Sequence, residues 1–342
     1  MHVLVTGHTG FKGAWATLLL RHHGHEVSGI ALDPLPGSLF ERVGLGEAFQ
    51  SDVRADIRDE KAVLKAFHEI QPDVVLHMAA QPLVRVSYNE PRWTMETNVM
   101  GTLSVLEAVA ATSSVAAAVM VTTDKVYRNM GQAKGYGEDD ALGGRDPYSA
   151  SKAMADILIS SWNASFDSRP VATARAGNVI GGGDVCADRL LPDLIRGFQE
   201  RQSVAIRYPD AIRPWQHVLD CLNGYLMLID ALLDGAGTGA WNFGPMADSV
   251  RTVREVADRA ATQWGDEASW EVDSGVHPDE EAILMLDSTR ARRELGWSDK
   301  LNFSESIDWS IEWAKQVQMG ASPREVTSKQ ISTFCEQVEE SA

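Results

Sequence analysis

Residues 1–13 read MHVLVTGHTGFKG, an apolar run followed directly by three glycines at three-residue spacing. The run His2–Thr6 predicts a strand, and Gly13–His23 has the pattern of a helix. Glycines between a strand and a helix allow a tight turn, a close approach of the backbone to a phosphate, and close packing of the helix on the strand. The stretch therefore predicts a strand–turn–helix unit that binds a pyrophosphate.

Short apolar runs alternate with helical patterns through the first half of the chain. The next predicted strands are Glu26–Leu32, Val74–His77, Ala117–Thr122 and Val171–Arg175, and the next predicted helices are Glu60–Glu69, Thr94–Ala110 and Tyr148–Phe166. Strands that alternate with helices imply right-handed crossovers and a parallel sheet covered on both faces. We therefore predict an α/β fold with a Rossmann-type doubly wound parallel sheet, whose ligands bind beyond the carboxyl ends of the strands.

The rhythm of the pattern changes after Arg175, where Gly181-Gly182-Gly183 and several prolines interrupt it. We expect residues 1–175 to form the dinucleotide-binding domain, with some later segments returning to it. Residues 176–342 are expected to form mainly a smaller, interleaved α/β substrate-binding lobe and the C-terminal helices.

Composition narrows the class of protein. The 342 residues carry 31 Lys+Arg and 48 Asp+Glu, a net charge of −17, which argues against a nucleic-acid or anionic-membrane binder. The three cysteines lie far apart without metal-ligand spacing, so we expect neither disulfides nor a metal site. The chain opens directly into the glycine turn, and its most apolar stretch, Val105–Val121, is broken by Thr112-Ser113-Ser114. We therefore expect a cytoplasmic protein.

Acidic residues follow the second predicted strand. Asp33 ends that strand about 20 residues after Gly13, where a carboxylate accepts both ribose hydroxyls and disfavours a 2′-phosphate. Asp56 and Ile57 have a spacing suited to the edge and face of an adenine. The pattern favours NAD as the cofactor, although Lys12 adds a charge that would favour NADP. The alternative for Asp33, before Pro34, is an ordinary turn or cap residue.

A second constellation is Tyr148-Ser149-Ala150-Ser151-Lys152. Positions i and i+4 share one face of a helix, so the Lys152 ammonium can approach the phenol and a ribose. A phenol has an ordinary pKa of about 10, and a neighbouring cation would stabilise its phenolate. Such a pair alone is more often a surface pair. Here the dinucleotide motif precedes it, and Thr122-Thr123 places hydroxyls at the end of the intervening strand.

Together these motifs resemble the extended short-chain dehydrogenase/reductase superfamily, whose members act on nucleotide sugars. The resemblance runs from Met1 to about Trp297 and rests on the glycine turn and on Ala79–Arg85, Thr97–Thr102, Asp146–Lys152, Arg175–Asp184 and Ile212–Val218. Within the superfamily the chain is most similar to the 4,6-dehydratases, because Asp124-Lys125 directly follows Thr123. Many of these enzymes have Asp-Glu at this point, and the CDP-glucose branch has Asp-Lys.

The resemblance implies a redox-neutral dehydration of CDP-glucose to a 4-keto-6-deoxy sugar, with NAD tightly bound and not consumed. It assigns the catalytic roles to Thr123, Asp124, Lys125, Tyr148 and Lys152. Tyr148, aided by Thr123, would take the 4-hydroxyl proton as hydride leaves carbon 4. Lys125 would remove the hydrogen on carbon 5, Asp124 would protonate the departing 6-hydroxyl, and hydride would return to carbon 6. The alternative for Asp124 and Lys125 is a pair of solvated loop charges.

The resemblance also implies the binding residues. The cofactor contacts are Gly7, Thr9, Gly10, Phe11, Lys12, Gly13, Asp33, Asp56, Ile57, Ala79, Ala80, Gln81, Asn98, Thr122, Tyr148 and Lys152. The substrate contacts are Arg85, Asn178, Arg189, Arg207, Arg213 and His217, with Arg175 on the same segments. Arg213 is the preferred phosphate partner because a guanidinium matches phosphate in bidentate geometry. His277 is expected to be structural or at the rim, and the departure of 281–285 from the family pattern leaves the nucleobase open.

Partners and alternatives follow from the same resemblance. It implies a homodimer in which Thr94–Ala110 and Tyr148–Phe166 form a four-helix bundle, with a nucleotide sugar as substrate. One alternative is a nucleotide-sugar 4-epimerase or ketoreductase of the same fold, which would not exchange the hydrogen on carbon 5. Another is a non-catalytic dinucleotide-sensing protein, although such proteins commonly lose the Tyr or Lys that this chain retains.

Overall fold

The computed structural model describes residues 1–132, 134–166, 169–265, 268–275 and 283–340. Its strands are β1 (His2–Thr6), β2 (Glu26–Ala31), β3 (Asp52–Arg54), β4 (Val74–His77), β5 (Ala117–Val121), β6 (Val171–Ala176), β7 (Asn178–Ile180), β8 (Val204–Ile206), β9 (Ile212–His217), β10 (Gly239–Phe243), β11 (Val250–Thr252) and β12 (Trp270–Val272). Seven of them form one parallel sheet in the order β10-β6-β5-β4-β1-β2-β3. This sheet confirms the predicted Rossmann-type fold.

The helices alternate with the strands in the first half of the chain. They are α1 (Phe11–His22), α2 (Leu39–Arg42), α3 (Glu60–Ile70), α4 (Val84–Asn89), α5 (Pro91–Met95), α6 (Gly101–Ala111), α7 (Pro147–Ser165), α8 (Leu190–Gln199), α9 (Val218–Leu233), α10 (Val253–Trp264), α11 (Phe303–Gln318) and α12 (Pro323–Glu340). The predicted helix Thr94–Ala110 is composite, because a π-helical turn, Glu96–Met100, joins α5 to α6. Each predicted strand of the first half is confirmed to within one residue.

Both faces of the large sheet are buried. In β1, Val3 and Val5 pack into the cluster formed with α1 and α9, while Leu4 between them packs into the cluster formed with α3 and α6. Successive residues of a strand point to opposite faces, so alternate side chains serve two separate cores. This explains why β1 is apolar throughout, as is usual for a strand buried on both sides.

Two smaller sheets adjoin the large one. β7 follows β6 after a single residue and pairs in parallel with β9, which pairs antiparallel with β11. β8 and β12 form a parallel pair, and α8, α10 and α11 share a third apolar cluster. After β9 the chain returns to the large sheet, since α9 packs on β5 and β6 and β10 pairs with β6. Residues from both halves therefore meet beyond the carboxyl ends of β5 and β6.

No helix in the described ranges is long and apolar enough to cross a membrane. His277, which we expect to be structural or at the rim, lies outside the described residues.

Candidate active site

The glycine turn between β1 and α1 is closely packed. Gly7 has a φ of +75°, and a Cβ on it would lie 2.8 Å from the amide nitrogen of Ala79. A Cβ on Gly13 would lie 2.2 Å from the carbonyl oxygen of Gly7. Larger residues at either position would displace the backbone. The turn therefore brings bare backbone to the N-terminus of α1, where N–H groups favour an anion.

The rim of this turn carries an open carboxylate. The Asp33 side chain follows β2, is 90% exposed, and lies 3.9 Å from the Nε atom of Arg54. Hydrogen bonds from Arg58 lower the pKa of Asp56. Ile57 is buried against Gly101, since a Cβ on Gly101 would lie 2.6 Å from the Cδ1 atom of Ile57. Asp33 is thus the carboxylate of this group best placed to accept hydrogen bonds from a ligand.

Asn98 connects the loop after β4 to α7. Its Oδ1 atom accepts a hydrogen bond from the Gln81 amide at 2.8 Å. Its Nδ2 group donates to the Gln81 carbonyl at 3.0 Å and to Ser151 Oγ at 2.9 Å. These bonds fix the loop that contains Ala79 and Ala80 against α7. Asn98 therefore has a positioning role in this structure.

These residues fit a dinucleotide. The glycine turn leaves no room for side chains against the backbone, while Thr9 Oγ1 donates to the Leu32 carbonyl at 3.0 Å and ties the turn to the end of β2. The Asp33 carboxylate beside it is open to a ribose. Lys12 points toward α9, because its Nζ atom donates to Tyr225 Oη at 3.2 Å. Phe11 lies beside Gly181.

Thr123 and Tyr148 lie beside each other beyond the end of β5. The Thr123 hydroxyl donates to Asp124 Oδ1 at 2.9 Å. Burial raises the pKa of Tyr148 to about 12, although the neighbouring Thr123 hydroxyl opposes this shift. The phenol is therefore protonated in the free protein.

The Lys152 ammonium was expected to approach the Tyr148 phenol, but its hydrogen bond goes to another group. Its Nζ atom donates to the Val121 carbonyl at 3.1 Å, at the end of β5. Burial, with a smaller effect from the charge of Lys12, lowers the pKa of Lys152 to about 8. The shared helix face brings both side chains to the same region, but the carbonyl provides the nearer acceptor.

Asp124 and Lys125 form an ion pair in a short 3₁₀ helix directly after Thr123. Lys125 Nζ lies 3.6 Å from Asp124 Oδ1, and its side chain is 28% exposed. Asp124 is only 1% exposed, and its Oδ2 atom has no hydrogen-bond partner among the described residues. The reading of Asp124 as a solvated loop charge is wrong. A buried oxygen with unused hydrogen-bonding capacity is suited to a substrate hydroxyl.

Arg175 and Thr122 face a buried network behind this cluster. Arg175 Nη2 lies 2.6 Å from Asp156 Oδ1, and Arg175 Nη1 donates to the Tyr127 hydroxyl at 2.7 Å. Thr122 Oγ1 donates to Asp156 Oδ2 at 2.9 Å. The expectation that Arg175 binds substrate is therefore corrected, because its guanidinium is engaged by the buried Asp156 carboxylate and the Tyr127 hydroxyl. The Thr122 hydroxyl likewise supports the network.

Several arginines of the expected substrate segments pair with acids. Arg85 Nη1 lies 2.8 Å from Asp188 Oδ1, and Arg207 Nη2 lies 3.9 Å from the same oxygen. Arg189 pairs with Asp184 at 2.9 Å, and its positive charge lowers the pKa of Tyr148 in opposition to burial. Arg189 is thus near enough to the phenol to affect its charge.

Two further expected contacts lie on adjoining strands. Asn178 is half-buried on β7, opposite Trp215 of β9. Arg213 is 8% exposed on β9, and its Nη1 atom donates to the Ile212 carbonyl at 2.9 Å.

His217 lies in the core and not in the cleft. It is 0% exposed, with its ring between Trp15 and Trp309 at centroid distances of 5.9 and 5.8 Å. Its Nδ1 atom accepts from the Leu219 amide and caps α9, and burial lowers its pKa to about 3. The expected contact between His217 and substrate is therefore wrong for this conformation, because the tryptophans cover the ring.

Comparisons with known proteins agree with this geometry. The model of the family described as GDP-mannose 4,6 dehydratase matches residues 4–309. The CDP-glucose 4,6-dehydratase of Salmonella typhimurium (strain LT2) is 43% identical, over 97% of this chain and 95% of its own length. A probable dTDP-glucose 4,6-dehydratase of Sinorhizobium fredii is 28% identical over 92% of each chain.

Solved structures share the fold over nearly the whole chain. The UDP-glucose 4-epimerase of Thermus thermophilus, in complex with NAD, is 25% identical with a TM-score of 0.79, over 92% of this chain and 99% of that one. The dTDP-glucose 4,6-dehydratase of Streptomyces venezuelae is 22% identical with a TM-score of 0.82, over 95% and 100%. The family model and the Salmonella relative both span most of the sequence, and the chain therefore belongs to the GDP-mannose 4,6-dehydratase family.

Proposed function

We propose that this chain is an NAD-dependent 4,6-dehydratase whose substrate is CDP-glucose. The observation that carries the proposal is the buried Asp124 carboxylate, paired with Lys125 and bonded to the Thr123 hydroxyl that also contacts Tyr148. An epimerase only removes and returns hydride, so it has no use for an additional acid and base beside that hydroxyl. The 43% identity to the Salmonella enzyme named for CDP-glucose supports the choice of nucleotide.

The cofactor proposed is NAD. The glycine turn and the N-terminus of α1 would hold its pyrophosphate, and Asp33 would accept its ribose hydroxyls. The relatives crystallised with NAD support this choice. When bound, NAD accepts a hydride from the sugar and returns it, so the overall reaction needs no external reductant.

The first proton transfer is proposed for Tyr148. Its phenol must lose the proton it holds in the free protein before it can accept that of the 4-hydroxyl. A positive charge brought beside it would lower its pKa from about 12, as Arg189 already does in part. Thr123 would hydrogen-bond the same sugar oxygen and orient it.

Lys125 and Asp124 are proposed to carry out the elimination. The two form an ion pair, so the Lys125 ammonium would first pass its proton to the Asp124 carboxylate. Once carbon 4 is a ketone, the hydrogen on carbon 5 becomes acidic, and the neutral Lys125 amine would take it. The bond from carbon 6 to its hydroxyl would then break as Asp124 donates a proton to the departing oxygen, so water leaves. The unpartnered Asp124 Oδ2 supports a bond to that hydroxyl.

The substrate diphosphate is proposed to bind among arginines of the substrate segments, where residues 176–342 would provide most contacts. Arg85, Arg189 and Arg207 lie on three separate segments around the cleft, and Arg213 and Asn178 lie on the adjoining strands β9 and β7. Guanidinium groups match phosphate oxygens in bidentate geometry.

We also propose a homodimer through α6 and α7, with the π-helical turn before α6. The apolar side chains of Met100, Met154 and Ile157 are 52%, 48% and 54% exposed on these elements. Burial of such side chains against a second copy would form the four-helix bundle. Light scattering should report a dimer, and Ile157→Lys should give monomers; a wild-type monomer would contradict the proposal.

We propose a cytoplasmic location, which accords with the free cysteines 186, 221 and 335.

One experiment tests the function. The protein, with NAD and without reductant, is incubated with the CDP, dTDP, UDP and GDP forms of glucose, and the products are weighed by mass spectrometry. Loss of one water from CDP-glucose is expected. An isomer of unchanged mass would indicate an epimerase, and no reaction with any of the four would overturn the dehydratase proposal.

A further inference from the structure

Asp188 pairs with two arginines that are remote from each other in the sequence. Arg85 belongs to α4, whereas Arg207 directly follows β8. Both guanidinium groups face one carboxylate oxygen, Asp188 Oδ1, at 2.8 and 3.9 Å. One side chain therefore connects α4 to the segment that follows β8.

The backbone at Asp188 is held in an uncommon conformation. Its φ is +61°, in the left-handed region, which few residues other than glycine, asparagine and aspartate adopt readily. The next residue, Arg189, carries the charge that acts on the Tyr148 phenol. The turn thus aims Asp188 at the arginines and Arg189 toward the phenol from consecutive positions.

The local charges allow Asp188 to compete with an anionic ligand for the two arginines. Arg85 and Arg207 carry two positive charges, of which Asp188 balances one. The nearby Asp193 is paired with Arg196. All three side chains are partly exposed, at 49%, 25% and 42% for Arg85, Arg207 and Asp188, so solvent and ligands can reach them. A diphosphate offers more oxygens and more charge than one carboxylate, so it can replace Asp188 on both guanidinium groups.

We propose that Asp188 is a resident anion that occupies the two arginines until the diphosphate of the substrate displaces it. The inference rests on the proposed function, in which these arginines bind the diphosphate. Substrate binding is then an exchange of anions, and Asp188 returns to the arginines as product leaves. Its negative charge lowers affinity for substrate and speeds release of product.

The test variant is Asp188→Asn, which removes the charge and keeps both the size of the side chain and its tolerance of a left-handed φ. Isothermal titration calorimetry measures the dissociation constants of CDP and of inorganic pyrophosphate. Both should fall about three- to ten-fold, because each exposed pair that the anion must break is worth up to about fivefold. The gain should shrink as salt is added, since exposed charges are screened.

Two further variants complete the design. Asp188→Gly keeps the left-handed φ without any side chain and should show the same gain. Asp308→Asn is the control, because it removes an equal charge from an Asp–Arg pair with Arg259, between α10 and α11, and should leave both constants unchanged. In steady state, Asp188→Asn should lower KM, and kcat as well where product release limits turnover.

Unchanged or weaker binding of both anions by folded Asp188→Asn would overturn the proposal, since Asp188 would then position the arginines and not compete for them. Tighter pyrophosphate binding by the variant, together with a wild-type protein that does not dehydrate any nucleotide-linked glucose, would support the role of Asp188 while rejecting the proposed function.

Discussion

Gly177 lies directly against the carboxylate of Asp124. A Cβ on Gly177 would stand 3.1 Å from Asp124 Oδ2 and 2.9 Å from the Cγ atom of Pro214. That oxygen is buried and has no protein partner in the described part of the chain. Gly177 therefore keeps open the space in which a substrate hydroxyl would meet the proposed acid.

We expect Gly177→Ala to reduce kcat for dehydration by about 10- to 100-fold, because a small displacement of a catalytic group has a cost of this size. Dinucleotide binding should change little. Gly46→Ala is the matched control, since a Cβ there meets no atom within 4 Å. Equal turnover by both variants would mean that Asp124 is not the acid.

Lys125 provides a second test of the elimination. Turnover of the wild-type protein in deuterated water should place deuterium on carbon 5, because the base exchanges its proton with solvent. Lys125→Ala should lose about 10²- to 10⁴-fold in water loss, the usual range for a general base. Some hydride transfer from carbon 4 should remain, since Thr123 and Tyr148 are intact. Normal turnover by Lys125→Ala would assign the base to another residue.

The sequence predicted the parts of this site that depend on short, local patterns. The glycine turn and the buried strands could be recognised because each pattern lies within one segment. The roles of Arg175 and His217 could not, because they depend on partners that are remote in sequence. Arg175 pairs with Asp156 on α7, and His217 is covered by Trp15 and Trp309.

Other parts of the site were missed because the signal was too short. β3 has three residues, fewer than a periodic pattern needs, so the position of Arg54 beside Asp33 was not foreseen. Asp188 is one acid among many, and only the fold brings Arg85 and Arg207 to it. Gly177 could have been noticed as a glycine two residues after the end of the predicted strand Val171–Arg175.

Lys152 predicts how dinucleotide binding depends on pH. Its pKa in the free protein is lowered to about 8, so the ammonium is progressively lost above that pH. If the bound ribose requires the ammonium, affinity for NAD should fall by up to about tenfold per pH unit above pH 8. Calorimetric titration between about pH 6.5 and 9.5 measures this slope. Lys152→Met should bind more weakly, with no such slope; the same slope in the variant would assign it to another group.

Asp220 predicts how stability depends on pH. It is 0% exposed in the first turn of α9, accepts hydrogen bonds from the Lys300 and Leu301 amides at 2.6 and 3.2 Å, and burial raises its pKa from 3.8 to about 8. The folded state thus binds a proton more tightly than the unfolded state. The resulting stability is complete below about pH 4 and is lost as the pH rises to about 8, by up to about 1.4 kcal/mol per pH unit.

Asp220→Asn cannot titrate at this position, so it should lack this dependence. Urea unfolding at several pH values measures the free energy of unfolding of both proteins. The difference, wild type minus variant, should decrease steadily from about pH 5 to pH 8. A difference that stays constant over that range would show that Asp220 is already ionised in the folded protein, because the two amide donors then outweigh the cost of burying its charge.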